Sequence, residues 1–294
     1  MTHDGVVVVD KPAAMTSHDV VARVRRLAGQ RKVGHAGTLD PMATGVLVLG
    51  LGRATRLLGH LATQDKAYEG TIRLGVSTLT DDAEGEVTAR VDPSAVTPAQ
   101  VAAALQQLTG DIEQVPASVS AVKVAGERAY RRVRAGEDVV LAPRPVHVAR
   151  LELVAPPRRG EGFVDLDVEA EVSSGTYVRA LARDLGTELG VGGHLTRLRR
   201  TRVGGFGLSE AHSLDALAEH FTVTSLGESV AAAFPRRVVG VDDAASVAHG
   251  RPLPSAGETG LVGVFDEQGR VLALMGPSER EGEDVLRVVV GLTG

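Results

Sequence analysis

The sequence predicts an α+β protein, one large domain followed by a small β-rich one. Three observations carry that expectation. Short apolar runs at 6–9 and 46–49 have strand length and strand composition, and 163–172 alternates between apolar and acidic residues from Val164 onward. The segments between them carry helix start and stop signals. Beyond about residue 234 the texture changes to short apolar runs separated by turn residues, and a chain of 294 residues is long for one domain.

In order, residues 5–10 read as a strand, and Ser17 is expected to cap a helix that runs to about Leu27 and closes at Gly29. Residues 45–51 are a β-branched apolar strand, 54–61 a helix and 68–74 an alternating strand. An acidic turn follows at 81–85, then a helix over 98–108 with Pro98 in its first turn. After the strand at 163–172, a helix spans 177–189 and ends at Gly190, and another is expected over 209–220. The C-terminal runs 260–265, 271–276 and 285–290 are strands, separated by turns at 266–269 and 279–284.

Composition narrows the function classes. There is no cysteine, which excludes disulfides, thiolate metal sites and cysteine nucleophiles. Residues 6–9 are too short an apolar run for a signal peptide and lead at once into Asp10 and Lys11, and no stretch reaches membrane-span length, so the cytoplasm is the expected location. The net charge is −5, yet its distribution is uneven. Between 23 and 56 stand Arg23, Arg25, Arg26, Arg31, Lys32, Arg53 and Arg56 against Asp40 alone. Two more basic stretches occupy 123–159 and 179–202, while acid gathers at 81–92 and after 208. Three basic segments on one face suit a polyanion; solvated helix faces account for any one of them equally well.

The most informative stretch is 34–45, G-H-A-G-T-L-D-P-M-A-T-G. Asp40 stands in a glycine-bracketed loop before Pro41, which restricts it to an extended backbone, and the loop leads into the strand at 45–51. A carboxylate held rigidly at a strand mouth is a catalytic candidate; it is also what a turn-capping aspartate looks like. The wider pattern resembles the TruB-type tRNA pseudouridine synthases. The matching segments are this loop, the strand and Lys-Pro turn at 5–15, Lys66-Ala67-Tyr68-Glu69, Ser174-Gly175-Thr176-Tyr177-Val178-Arg179 and the Leu-Arg-Arg segment at 195–200.

The resemblance implies a pseudouridine synthase catalytic domain at 1–234, with a mixed, mostly antiparallel sheet flanked by helices, and a PUA-like domain at 235–294. It implies isomerisation of a T-loop uridine in tRNA with no metal, redox cofactor or nucleotide. Asp40 is then the essential carboxylate, acting as nucleophile or as base at the sugar. Tyr68 stacks on the flipped base, and Arg179 pairs with Asp40. Tyr177 packs near the base, Leu198 closes the pocket and His35 helps to open the T-loop. Lys11 and Asp82 are assigned contacts to RNA and to the target. Residues 123–146 form an arginine-rich arm that grips the tRNA T-arm, and the expected enzyme is a monomer without an obligate protein partner. The sequence departs from the family pattern at Ala117 and Val119, where a proline and an aromatic are usual, and at Leu79, where an aspartate is common. Three other readings are an RNA chaperone, a guide-RNA-dependent or ribosomal synthase, and an oxidoreductase suggested by Gly50-Leu51-Gly52. The last lacks a third glycine, Thr55 standing in its place.

Overall fold

The computed structural model describes residues 3–117, 123–124, 127–128 and 141–293. The N-terminal valine run becomes β1 (Gly5–Lys11), a strand buried on both faces. Val7 and Val9 enter one hydrophobic core and Val6 and Val8 the other, so the run is continuously apolar rather than alternating. Helix α1 (Ser17–Ala28) follows. Its N-cap is Thr16 rather than the expected Ser17: Thr16 accepts from the Asp19 amide while the Asp19 carboxylate accepts from the Thr16 amide, a reciprocal cap that frees the Ser17 hydroxyl. Gly29 ends the helix in the left-handed conformation, as expected.

The chain continues through β2 (Val33–His35), β3 (Thr44–Leu51), a 3-10 turn (Gly52–Leu57) that runs into α2 (Leu58–Ala62), and β4 (Lys66–Leu74). The hairpin β5 (Val76–Thr78) and β6 (Val87–Arg90) carries the acidic turn. Next come α3 (Pro98–Gln107), β7 (Gly110–Gln114), the short pair β8 (Lys123–Val124) and β9 (Glu127–Arg128), and β10 (Arg144–Leu153). Most of the expected arm at 123–146 lies outside the described residues. Its last three residues, 144–146, belong instead to β10 and pair with β7.

β11 (Arg158–Gly160), β12 (Phe163–Val172), α4 (Val178–Glu188), β13 (Gly193–Val203) and β14 (Phe206–Gly207) complete the region that forms the site. The helix expected over 209–220 is broken. A single 3-10 turn covers Leu208–Glu210, and His212 then pairs in extended form with β1. Only after Ser213 caps it does α5 (Leu214–Glu219) begin. β15 (Thr224–Ser225) and α6 (Leu226–Ala233) follow.

Among the described residues these strands form one eleven-stranded sheet, β15-β1-β3-β13-β4-β12-β10-β7, with β2, β11 and β14 paired at its margins. Its ladders are antiparallel except for a short parallel contact of β13 with β3, Arg199 to Thr44 and Arg200 to Gly45. The mixed, mostly antiparallel sheet expected from the sequence is therefore observed. One face packs under α1, α3 and α4, where Ile72, Leu74, Leu166, Leu181, Leu185 and Leu195 are fully buried. Each such side chain contributes roughly 1.5–3 kcal/mol relative to exposure.

The other face buries Val46, Val48, Leu57 and Leu61 against Phe234, Phe265, Leu274 and Leu292 of the C-terminal part. That part comprises β16 (Arg236–Val239), α7 (Val241–Ala248), β17 (Leu253–Pro254), β18 (Val262–Asp266), β19 (Val271–Arg280) and β20 (Glu283–Gly291). Its strands form a separate five-stranded sheet, β16-β18-β19-β20-β17. The turn expected at 279–284 is tighter: Arg280 pairs with Glu283, leaving Glu281 and Gly282, both at positive φ, as the loop.

Candidate active site

Three buried polar side chains from three different elements fix the loop at 34–45. The hydroxyl of Ser17, at the start of α1, donates to the Leu39 carbonyl and accepts from the Leu39 amide at 3.1 and 2.9 Å. Arg200, on β13 and fully buried, gives its guanidinium to the carbonyls of Val46, Thr38 and Gly37 at 2.8, 3.3 and 3.2 Å. Lys11, at the end of β1 and also fully buried, donates to the carbonyls of Pro12, Met15 and Pro41 at 2.9, 2.7 and 3.2 Å.

A loop that turns this sharply leaves carbonyls without backbone partners, and buried cations satisfy them. Against the expectation that Lys11 touches RNA, its ammonium is consumed in holding the loop. Burial pushes its pKa down to about 8, against the opposing pull of Asp40. Gly37 and Gly45 adopt φ of 91° and 98°. At Gly45 a β-carbon would stand 2.2 Å from the Arg200 carbonyl, so glycine is required where β3 leaves the loop to meet β13.

The loop delivers Asp40 to Arg179 in the first turn of α4, whose Nε lies 2.9 Å from Asp40 Oδ2. The same guanidinium reaches Asp82 Oδ2 at 3.2 Å and the Thr80 carbonyl at 2.9 Å. The side chains of Arg179 and Asp82 are only 6% and 4% exposed, whereas that of Asp40 is 35% exposed, so one carboxylate of the triad opens to the cleft.

Asp82 is fixed in turn. It accepts from the Thr80 hydroxyl and the Glu84 amide, and its carbonyl accepts from Thr78 Oγ1. Neighbouring Asp81 has a positive φ of 58° and a buried carboxyl paired with Arg183 at 3.2 Å. Burial raises its pKa to about 6, with Arg183 and Arg179 pulling the other way. Tyr177 is clamped through its backbone by Gln114 of β7, whose side-chain oxygen accepts from the Tyr177 amide at 2.8 Å and whose amide donates to its carbonyl at 3.2 Å.

These groups enclose a cleft of about 270 Å³. Asp40, Arg179, Lys66, Arg200, Tyr68, Tyr177 and Leu198 all contribute to its lining. Tyr68 is 8% exposed on β4, opposite Ala170 on one side and Arg200 on the other. Of the residues expected at the site, Asp40, Tyr68, Arg179, Tyr177 and Leu198 line the cleft, and Asp82 stands behind Arg179.

His35 does not line the cleft. Its ring meets His18 edge-on at 5.5 Å, and its Nδ1 is buried with no hydrogen-bond partner among the described residues. Burial and His18 lower its pKa. Ser17 and Gln114 carry no local signal in the sequence that marks them as site residues, and Arg200, though it closes the Leu-Arg-Arg segment, has no role implied for it there. Among the described residues no group of three His, Asp or Glu side chains has metal-holding geometry. A larger hollow of about 670 Å³ beside α7 is lined mainly by Ala, Val and Leu, and of its two acids, Asp266 and Glu267, the first is already paired with Arg270.

Three family models match the chain: the TruB family pseudouridylate synthase N-terminal domain at residues 25–178, a tRNA pseudouridylate synthase B C-terminal domain at 179–242, and the tRNA pseudouridine synthase II C-terminal domain at 234–292. A Thermobifida fusca protein named tRNA pseudouridine synthase B is 60% identical, the match covering 92% of this chain and 94% of that one. One of the same name from Rhodococcus jostii is 58% identical over 97% and 93%. Among solved structures, a Cbf5-Nop10-Gar1 complex matches with a TM-score of 0.73 and 26% identity, covering 98% of this chain and 84% of that one. An H/ACA ribonucleoprotein bound to a substrate RNA matches in fold, with a TM-score of 0.73 at 23% identity over 99% and 85%. With its N-terminal model spanning more than half the sequence and relatives near 60% identity, the chain belongs to the TruB family of pseudouridylate synthases.

Proposed function

We propose that the protein isomerises a T-loop uridine of tRNA to pseudouridine, with Asp40 as the reacting carboxylate. One observation carries this: Arg179 is held between two carboxylates, and only Asp40 remains open to a cleft walled by Tyr68, Tyr177 and Leu198. Breaking the ribose–base bond, turning the base and rejoining it through carbon needs a carboxylate at C1′ or C2′ and a surface on which the base rests. Arg179 pairs with Asp40 and aims it. Extruding the base costs a few kcal/mol, and stacking on one aromatic ring returns about 1–3 kcal/mol. Tyr68 supplies that ring. Asp82 orients Arg179 rather than meeting the base, and His35 acts from outside the cleft on the tRNA.

The names of relatives at 58–60% identity favour a stand-alone tRNA enzyme over a guide-RNA-dependent one. We retain the division into a catalytic part at 1–234 and an RNA-assisting part at 235–294, and a monomer that works in the cytoplasm. No described helix is long and apolar enough to cross a membrane.

The test is to incubate unmodified tRNA transcripts with Asp40→Asn or Asp40→Ala protein and map pseudouridine. Binding should persist while the single-turnover rate falls by about three orders of magnitude or more. Appreciable turnover by either variant would defeat the assignment. Tracking tRNA refolding by the Asn variant shows whether a chaperone activity exists beside the chemistry.

A further inference from the structure

The cleft has a further charged lining residue that the reaction as described leaves unused. Lys66 and Tyr68 lie two residues apart on β4 and so face the same side of the sheet. Lys66 is 7% exposed, and its ammonium donates to the carbonyls of Ala62 at 2.9 Å and Gln64 at 2.8 Å, at the end of α2. An ammonium has three protons, and among the described residues no acceptor takes the third.

Fully buried Arg200 stands beside it, and burial together with that guanidinium pushes the Lys66 pKa down to about 8. The acid that acts on Lys66 is Asp65, which is exposed and makes no ion pair with it. Asp40 lines the same cleft but is paired with Arg179. A buried lysine lining a cleft without a carboxylate partner costs stability, and its remaining proton suits an anion that arrives there.

Such an anion forms during the reaction. Whether Asp40 attacks C1′ or removes the proton at C2′, the C1′–N1 bond breaks with its electron pair moving onto the base, whose negative charge spreads over N1, O2 and O4. The base must then turn before C5 bonds to C1′ and loses its proton. Resting on the proposed isomerase reading, the geometry points to Lys66 as a further catalytic residue. It donates a hydrogen bond to an oxygen of the departing uracil anion, stabilises that charge while the base turns, and keeps all its protons throughout. Arg200 adds charge from behind without contacting the base, its donors being given to the loop. The cleft thus holds both a carboxylate for the sugar and an ammonium for the base, the pair that separating charge along the breaking bond requires.

The test begins with wild-type protein on an unmodified tRNA transcript under single-turnover conditions. Absence of isomerisation there means that the proposed function has failed, not the role of Lys66. With wild-type turnover in hand, Lys66→Met removes the charge at similar volume. The expected result is a rate lowered about 10- to 1,000-fold, with tRNA affinity within about twofold of wild type. A Met variant within threefold of the wild-type rate, or one whose loss lies wholly in tRNA affinity, would overturn the role. Should that variant not fold, Lys66→Arg decides, because its guanidinium does not titrate in this range. The ratio of its rate to the wild-type rate should climb as pH rises through about 8, where the wild-type ammonium is lost. Contributions from Lys11, Asp40, Arg179, Tyr68 and Tyr177 are common to both proteins and cancel in that ratio. A ratio that stays flat across this range overturns the proposal.

Discussion

Single side chains do two kinds of work around Asp40, and pH separates them. The buried carboxyl of Asp81 has its pKa raised from 3.8 to about 6 by burial, against Arg183 and Arg179 and with Asp184 and Asp82 adding to the rise. Because the folded value exceeds the unfolded one, the native state binds the extra proton. The stability this confers is complete below about pH 4 and is lost as pH rises through about 6. A rise of that size corresponds to roughly 3 kcal/mol. Denaturant unfolding of wild type and Asp81→Asn between pH 4 and 7 should therefore diverge: wild type loses about 2–3 kcal/mol that the variant, with nothing to titrate there, does not. Parallel curves would show that Asp81 is ionised at every pH in the window. The three separate segments carrying Asp40, Tyr68 and Arg179 were legible as family motifs. That Lys11 is spent on the carbonyls of Pro12, Met15 and Pro41 was not, because nothing in a lysine's local sequence says how deeply it is buried.

At the scale of elements, the site depends on β13 meeting β3 and β4 at one place. Arg200 pairs across the ladders with both Gly45 and Tyr68. Gly45→Ala should cost about 2–4 kcal/mol, since its β-carbon has to push the Arg200 carbonyl away and hold φ near 98°. Gly29→Ala, at the end of α1 with open space around it, should cost only about 1 kcal/mol despite a φ of 62°. Equal urea midpoints for the two variants would contradict this. Residues 163–172 were legible as a strand because one face is apolar and the other acidic. β13 was not, because its arginines hide the alternation: Arg200 points inward to bind the loop and Arg199 pairs with Asp10. The helix expected at 209–220 failed for a similar reason. The periodicity continues through Ala211 and His212, but the open edge of β1 captures His212 in extended form.

The whole molecule reconciles an acidic total with an RNA substrate by segregating charge. If the arginines of α1, β10 and β13 meet phosphates, tRNA affinity should fall steeply with salt. Roughly six contacts imply a loss of about a thousandfold between 50 and 200 mM. A shallow slope in filter binding would mean that these arginines are spent within the protein, as Arg199 and Arg200 already are. The central sheet is covered on both faces, by helices on one and by the C-terminal part on the other. The valine run of β1 is continuous because both of its faces are buried.

The strand at 163–172, the helices α1, α3 and α4 and, through family motifs each written in residues adjacent along the chain, the candidate carboxylate, aromatic ring and guanidinium follow from the sequence alone. The tertiary structure decided which cations are spent on backbone carbonyls. It also paired Asp82 with Arg179 and brought Lys66 to the cleft that Asp40 lines. Those assignments depend on burial and on contacts between residues tens to more than a hundred positions apart, and a side chain's charge is free to act only after the folded backbone has taken the hydrogen bonds it needs.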